Sequence, residues 1–255
     1  MSENNYRDAL GKARYEFGLG DPLLMADCSG AVYQELGDGK GIFRLTYLNK
    51  EYEITFPAGE VSFAKDTIPV AKDKGTDDCW VQEPEAELKV ESPAAKVGCG
   101  RPIPQAVPID YSGNTILVSD QTLMLMYLKQ ASGLPLREQW LNFLQLPEGS
   151  HHYGPFLVDA VNPMVELFHD NKELFFKAVA GMGGKAAKLG DFGAIIPALP
   201  RIPLAFLVWE GDEEFPPKGG ILFDDTISTN LDTAGAYVLG INAARRLMAI
   251  GKRLR

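Results

Sequence analysis

Hydrophobic residues recur along this chain with two different periods, and the positions where the period changes divide it into elements. Tyr6, Ala9, Leu10, Ala13 and Phe17 fall at helical spacing, and Gly18 and Gly20 follow them, so the pattern predicts a helix over 4–17. Residues 42–48 (IFRLTYL) and 51–56 (EYEITF) instead alternate apolar and polar about Asn49-Lys50, which predicts a hairpin ended by Pro57 and Gly59. From Ser119 the helical period returns: Ser119 or Asp120 can cap TLMLMYLKQAS, and Gly133 and Pro135 end it. Trp140, Phe143, Leu144 and Leu146 form a second apolar run. Pro155 can open a helix that Pro163 interrupts, and Asn171 caps a further helix, KELFFKAVAGMGG. Residues 194–199, 203–209 and 220–223 are dense enough in branched and aromatic side chains for buried strands. Asp232 or Thr233 then starts a last helix.

Strands and helices are grouped in blocks without regular βαβ alternation. The pattern therefore predicts an α+β fold, an antiparallel or mixed sheet with helices in the middle and at the C-terminus. Residues 62–110 break the pattern. They hold six of the 17 prolines and nine acids against six bases, with one or two short strands expected, such as 87–90. This stretch is an excursion from a single domain over 1–255, either a surface loop or a functional flap.

Composition narrows the function classes. With 45% hydrophobic residues in 255, the chain can build a sizeable core, and a net charge of −9 argues against binding nucleic acid or an anionic membrane. The opening MSENNYRDALGKARYEFG has no secretory pattern, and Cys28, Cys79 and Cys99 show no CxxC. Cys28 lies in Ala26–Gly30, read as a turn. The expectation is a cytoplasmic protein with reduced thiols.

The densest chemistry lies late in the chain. Glu210, Asp212, Glu213, Glu214, Asp224 and Asp225 fall within sixteen residues, flanked by Trp209 and Phe215 and opposed by Lys218. Carboxylates that converge across a hairpin bind hard cations or raise one pKa for acid catalysis. The alternative is a solvated turn, with Asp224 or Asp225 bonding backbone amides. His152, beside His151 and Tyr153, is a candidate base or axial metal ligand, or a loop histidine. Arg201, between two prolines, either pairs with the acids or clamps a carboxylate or phosphate. Arg245, Arg246, Lys252, Arg253 and Arg255 crowd a helix end where cations are favoured, and no acid follows Asp232.

The run Ala198–Leu231, ALPRIPLAFLVWEGDEEFPPKGGILFDDTISTNL, resembles the signature of the prokaryotic family catalogued as domain of unknown function 3786. That family's pattern is an "LPRVPL" strand, then "WEGDEEFPP", then "ILFD". Residues 47–61 resemble its N-terminal strands, 121–135 its helix–Gly–Pro unit and 139–143 its "WISF" element, with 62–110 as an insertion. The resemblance implies a setting more than an activity: relatives mainly in anaerobes, some resembling fusions to an iron–sulfur module of corrinoid proteins. It implies an accessory protein binding a small molecule or cofactor, a corrinoid or metal ion among the possibilities. Its site would be Trp209, Glu210, Asp212, Glu213, Asp224, Arg201 and His152. A metal-dependent or acid–base enzyme using the carboxylates, and a module docking a protein partner, are the alternatives.

Overall fold

The computed structural model describes residues 3–64 and 115–255. Helix α1 (Glu3–Gly18) follows the predicted apolar stripe, and α2 (Pro22–Ser29) comes directly after it. The sequence pattern misses α2 and reads Cys28 as part of a turn. Asp21 caps α2 by accepting from the amides of Leu23 and Leu24, Pro22 sits at its first turn, and Gly30 ends it at φ 74°. Cys28 thus lies in the last turn of a short helix.

The next four strands form an antiparallel meander, β1 (Val32–Gly37), β2 (Lys40–Tyr47), β3 (Lys50–Phe56) and β4 (Val61–Phe63), in that order. The expected β2–β3 hairpin is present, and its turn is Leu48-Asn49, both with positive φ. The strand expected at 87–90 and nearly all of the 62–110 stretch lie outside the described residues.

A second antiparallel sheet has the order β5-β9-β8-β7-β6. Its strands are β5 (Trp140–Asn142), β6 (Lys185–Ala187), β7 (Phe192–Leu199), β8 (Ile202–Trp209) and β9 (Lys218–Asp224). Among these, β7, β8 and β9 are the buried strands that the sequence predicts. The apolar run at 140–146 splits into β5 and a 3-10 turn, because Asn142 and Gln145 cap each other's amides and end the strand after three residues.

The helices α3 (Val118–Gln130), α4 (Gly149–Phe156), α5 (Asn162–Phe168) and α6 (Lys172–Gly181) lead to α7 (Thr233–Leu254), which packs against all four. Asp232, rather than Thr233, caps α7 by accepting from Gly235 N at 2.7 Å. Close approach sets the composition of α7: a Cβ at Gly240 would lie 2.7 Å from the Phe156 ring. Alanine would favour the helix by about 1 kcal/mol, but here it has no room. Pro155 stands inside α4. Pro163 cannot donate to the carbonyl four residues back, and the chain widens before it into a π-helical turn, Leu157–Val161, closed by Asn162 N donating to Leu157 O.

One buried cluster runs from Ala13 of α1 to Met248 of α7 and takes in the inner faces of both sheets. Leu48 N, at the hairpin tip, donates to Ala198 O of β7 at 2.8 Å and joins the sheets directly. No helix among the described residues is long and apolar enough to cross a membrane.

Candidate functional site

The second sheet is unevenly covered. Strand β9 pairs with β8 along its whole length, from Lys218 opposite Trp209 to Phe223 opposite Leu204. On its other side β5 reaches only Leu222–Asp224, because the Asn142–Gln145 capping box turns the chain away. The half of β9 from Lys218 to Ile221 therefore has no strand neighbour on that side among the described residues. The π-helical turn and α4 stand beside the gap.

The result is a small cleft, open at its mouth, with an accessible cavity of about 50 Å3. Phe143, Phe156, Leu157, Val161, Leu207 and Ile221 supply apolar wall, and Gly219 and Gly220 leave backbone bare. Asn142, Tyr153, Lys218 and the Trp209 indole supply its polar groups. Burial alone pushes the Tyr153 hydroxyl above the ordinary tyrosine range, so it stays a neutral donor.

Of the seven site residues expected from the sequence, Trp209 lines this cleft, and Lys218 and Tyr153, named beside them, line it too. Glu210, Asp212 and Glu213, which follow Trp209, stand in the exposed turn beyond it. Asp212 Oδ1 accepts from Glu214 N at 2.9 Å and Phe215 N at 2.7 Å, so this carboxylate shapes its own turn. Glu210 N donates to Asp191 Oδ2 at 2.8 Å. His152, on α4, lies edge-on to Tyr237 with ring centres 6.1 Å apart and is exposed.

Asp224 stands at the opposite end of β9 and is 2% exposed. Its oxygens accept from Arg137 N (3.2 Å), Glu138 N (2.7 Å), Thr226 N (3.0 Å) and Thr226 Oγ1 (2.6 Å). The neighbouring Asp225 pairs with Arg137 at 2.6 Å. Together they fix the chain entering β5 and hence the point at which β9 loses its neighbour. Arg201 lies at the start of β8, about 25 Å from Trp209 at 3.3 Å per residue. Its Nη2 donates to Asp27 O at 3.2 Å and its backbone N to Tyr127 Oη at 3.1 Å, while its buried Nε finds no partner among the described residues. Among the described residues, no three His, Cys, Asp or Glu side chains come together to hold a metal ion.

A second polar constellation went unread in the sequence. Helix α3 starts at Val118, and its cap is Leu117, which makes no side-chain bond and lies two or three residues before the predicted Ser119 or Asp120. Asp120 is therefore inside the helix and 5% exposed. Its Oδ1 accepts from Tyr47 Oη and from Asn242 Nδ2, each at 2.8 Å. Burial raises its pKa, against smaller lowering effects of Tyr47, Arg246, Asn242 and Lys50. Arg246, one turn beyond Asn242 on α7, donates to Tyr47 O and Leu48 O, and to Tyr52 Oη at 3.3 Å. The knot ties α3 and α7 to the β2–β3 hairpin. Its one sequence signal was a lone acid at the head of an apolar helix, which reads equally well as a cap.

A family model described as "Domain of unknown function (DUF3786)" matches residues 104–246, more than half of the chain. The matched range holds β5 to β9 and the cleft; the N-terminal hairpin lies outside it. No curated protein and no solved structure matches.

Proposed function

The chain belongs to the domain of unknown function (DUF3786) family, and we propose that it is an accessory protein that binds a compact, largely apolar organic molecule in the cleft beside Trp209. The observation that carries this reading is the half-uncovered β9, where bare backbone, an indole and a neutral phenol meet inside an apolar wall. Small-molecule sites have this composition, a mostly hydrophobic lining with a few placed polar groups. The π-helical turn on its wall is a device found often at functional sites. The lining contains no histidine or cysteine, so its residues do not fit axial ligation of a corrinoid metal. The proposed ligand is therefore organic.

The test is a small-molecule screen read by tryptophan fluorescence and thermal melting. Ligands of the cleft should stabilise the protein. Their affinity should fall about tenfold, or about 1.4 kcal/mol, in Trp209→Ala, and stay unchanged in His169→Ala, at the end of α5 and outside the cleft lining. A ligand set that binds Trp209→Ala as tightly as the native chain would remove the cleft assignment.

A further inference from the structure

The backbone of β9 turns specific groups toward the cleft, and the phase of the antiparallel ladder says which. Each residue of such a strand directs its N–H and C=O to one neighbouring strand, and the next residue directs them to the other. On the β7 side, Val208 O of β8 accepts from Asp191 N at 3.0 Å. Val208 thus bonds away from β9, and so does Phe206, two residues back. Their opposites on β9, Gly219 and Ile221, therefore turn away from β8. On the β5 side, Asp225 N donates to Gln139 O at 2.8 Å, and the same phase runs back through Phe223 to Ile221 and Gly219. Both hydrogen bonds give one result: Gly219 and Ile221 aim their backbone groups at the side on which β5 stops.

The β5–β9 ladder ends with Asn142 opposite Leu222. Phe143 would come next, opposite Ile221, but no such pair forms, and the Phe143 carbonyl accepts from Leu146 N at 3.2 Å inside the 3-10 turn. The Ile221 N–H and the Gly219 C=O, which flank Gly220, are thus without a ladder partner among the described residues. Ile221 is 2% exposed, so its N–H lies out of bulk water. The space beside them is the cleft. Its lining joins Phe143, Phe156 and Ile221 from the inner face of the sheet to Leu207 and Trp209 from the outer face. A cavity that touches both faces of a sheet lies off its edge, where the backbone is. A donor and an acceptor held in an apolar recess select a ligand that brings the complementary pair.

We propose that the cleft binds an N-acylated amide of an apolar amino acid, one residue between two amides, laid as a short added strand along the free half of β9. The acyl C=O accepts from Ile221 N–H, and the far amide N–H donates to Gly219 C=O, the two bonds that enclose a non-hydrogen-bonded pair in an antiparallel ladder. The side chain of the ligand then stands opposite Gly220, on the face that Leu207 and Trp209 share. Gly220 has no side chain to compete for that space, and a cavity of about 50 Å3 suits one small branched group. The proposal rests on the cleft as the ligand site and names the chemical class of the ligand.

Two probes test it on the full chain, N-acetyl-L-leucine methylamide and N-acetyl-L-leucine methyl ester, which differ in the one N–H that reaches Gly219 C=O. Binding is read by tryptophan fluorescence and by proton–nitrogen correlation spectra. The methylamide should bind saturably and move the Ile221 amide proton downfield, and the ester should bind about tenfold more weakly. Both should bind more weakly still to Trp209→Ala. Equal affinity of the two probes for the native chain, or an Ile221 resonance that the methylamide leaves in place, overturns the amide pairing. If ligands from the apolar screen bind while the methylamide does not, the pairing falls and the cleft stands. If the methylamide binds Trp209→Ala as tightly as the native chain, the cleft and the pairing fall together.

Discussion

Between Trp209 and Lys218 four carboxylates stand in water, whereas at the far end of the next strand one carboxylate, Asp224, holds four donors out of it. The turn is rich in acids because nothing confines them. A solvated charge needs no partner, and Asp212 is the one among them that bonds neighbouring amides. Asp224 is in the opposite position. Its burial is tolerable because three backbone amides and a hydroxyl converge on it. The density of acidic residues in the turn therefore marks the solvent here, whereas the carboxylate that organises the molecule is a buried one.

The sharpest break of this contrast is Asp224→Ala. Removal of the carboxylate leaves Thr226 N buried without a partner and releases Arg137 N and Glu138 N from the entry to β5. We expect a loss of about 3–4 kcal/mol in chemical denaturation. Because the same contacts decide where β9 becomes uncovered, ligand binding in the cleft should weaken as well. A loss below about 1 kcal/mol would place Asp224 with the turn acids.

Asp120 should come next. Asp120→Ala strands the Tyr47 hydroxyl and the Asn242 amide, for an expected loss of about 2–3 kcal/mol. Asp120→Asn separates the charge from the hydrogen bonds. Burial raises the folded pKa of Asp120 above that of the unfolded chain, about 3.9. Its contribution is therefore fully present below that value and is lost as pH rises through the folded one. The stability of the native chain relative to Asp120→Asn should accordingly fall as pH is raised from 4 towards neutrality. A difference that does not change with pH would show that the carboxyl titrates alike in both states.

Much of the fold was legible in the sequence, because burial on one face imposes a period. Helices α1, α6 and α7, the β2–β3 hairpin and strands β7 to β9 all stand where the pattern puts them. Strand β1 did not show, since five of its six residues are exposed and its placement comes from pairing with β2. Helix α2 is too short for periodicity, and caps define it instead. The site was legible only in part, through Trp209 and, named beside other candidates, Lys218 and Tyr153. The cleft is a missing neighbour, made by the early end of β5 and the widening at Pro163, and no local pattern records a gap between distant segments. Asp120 was misplaced by two or three residues of helix start, enough to turn an expected cap into a buried acceptor.

The smallest effects belong to the turn itself and test the other side of the contrast. Asp212→Ala removes the one acceptor oxygen of two amides in an exposed turn that Gly211, at φ 80°, already bends. The bonds resemble a helix cap, so a loss of about 1 kcal/mol is expected. Glu213→Gln should leave stability within about 0.5 kcal/mol of the native value, as surface changes usually do. If the two variants melt together, Asp212 is as idle as its neighbours and the turn is held by glycine and the two prolines. If Glu213→Gln alone impairs ligand binding in the cleft, the acidic turn belongs to the site after all, as a charged rim acting on the ligand through solvent.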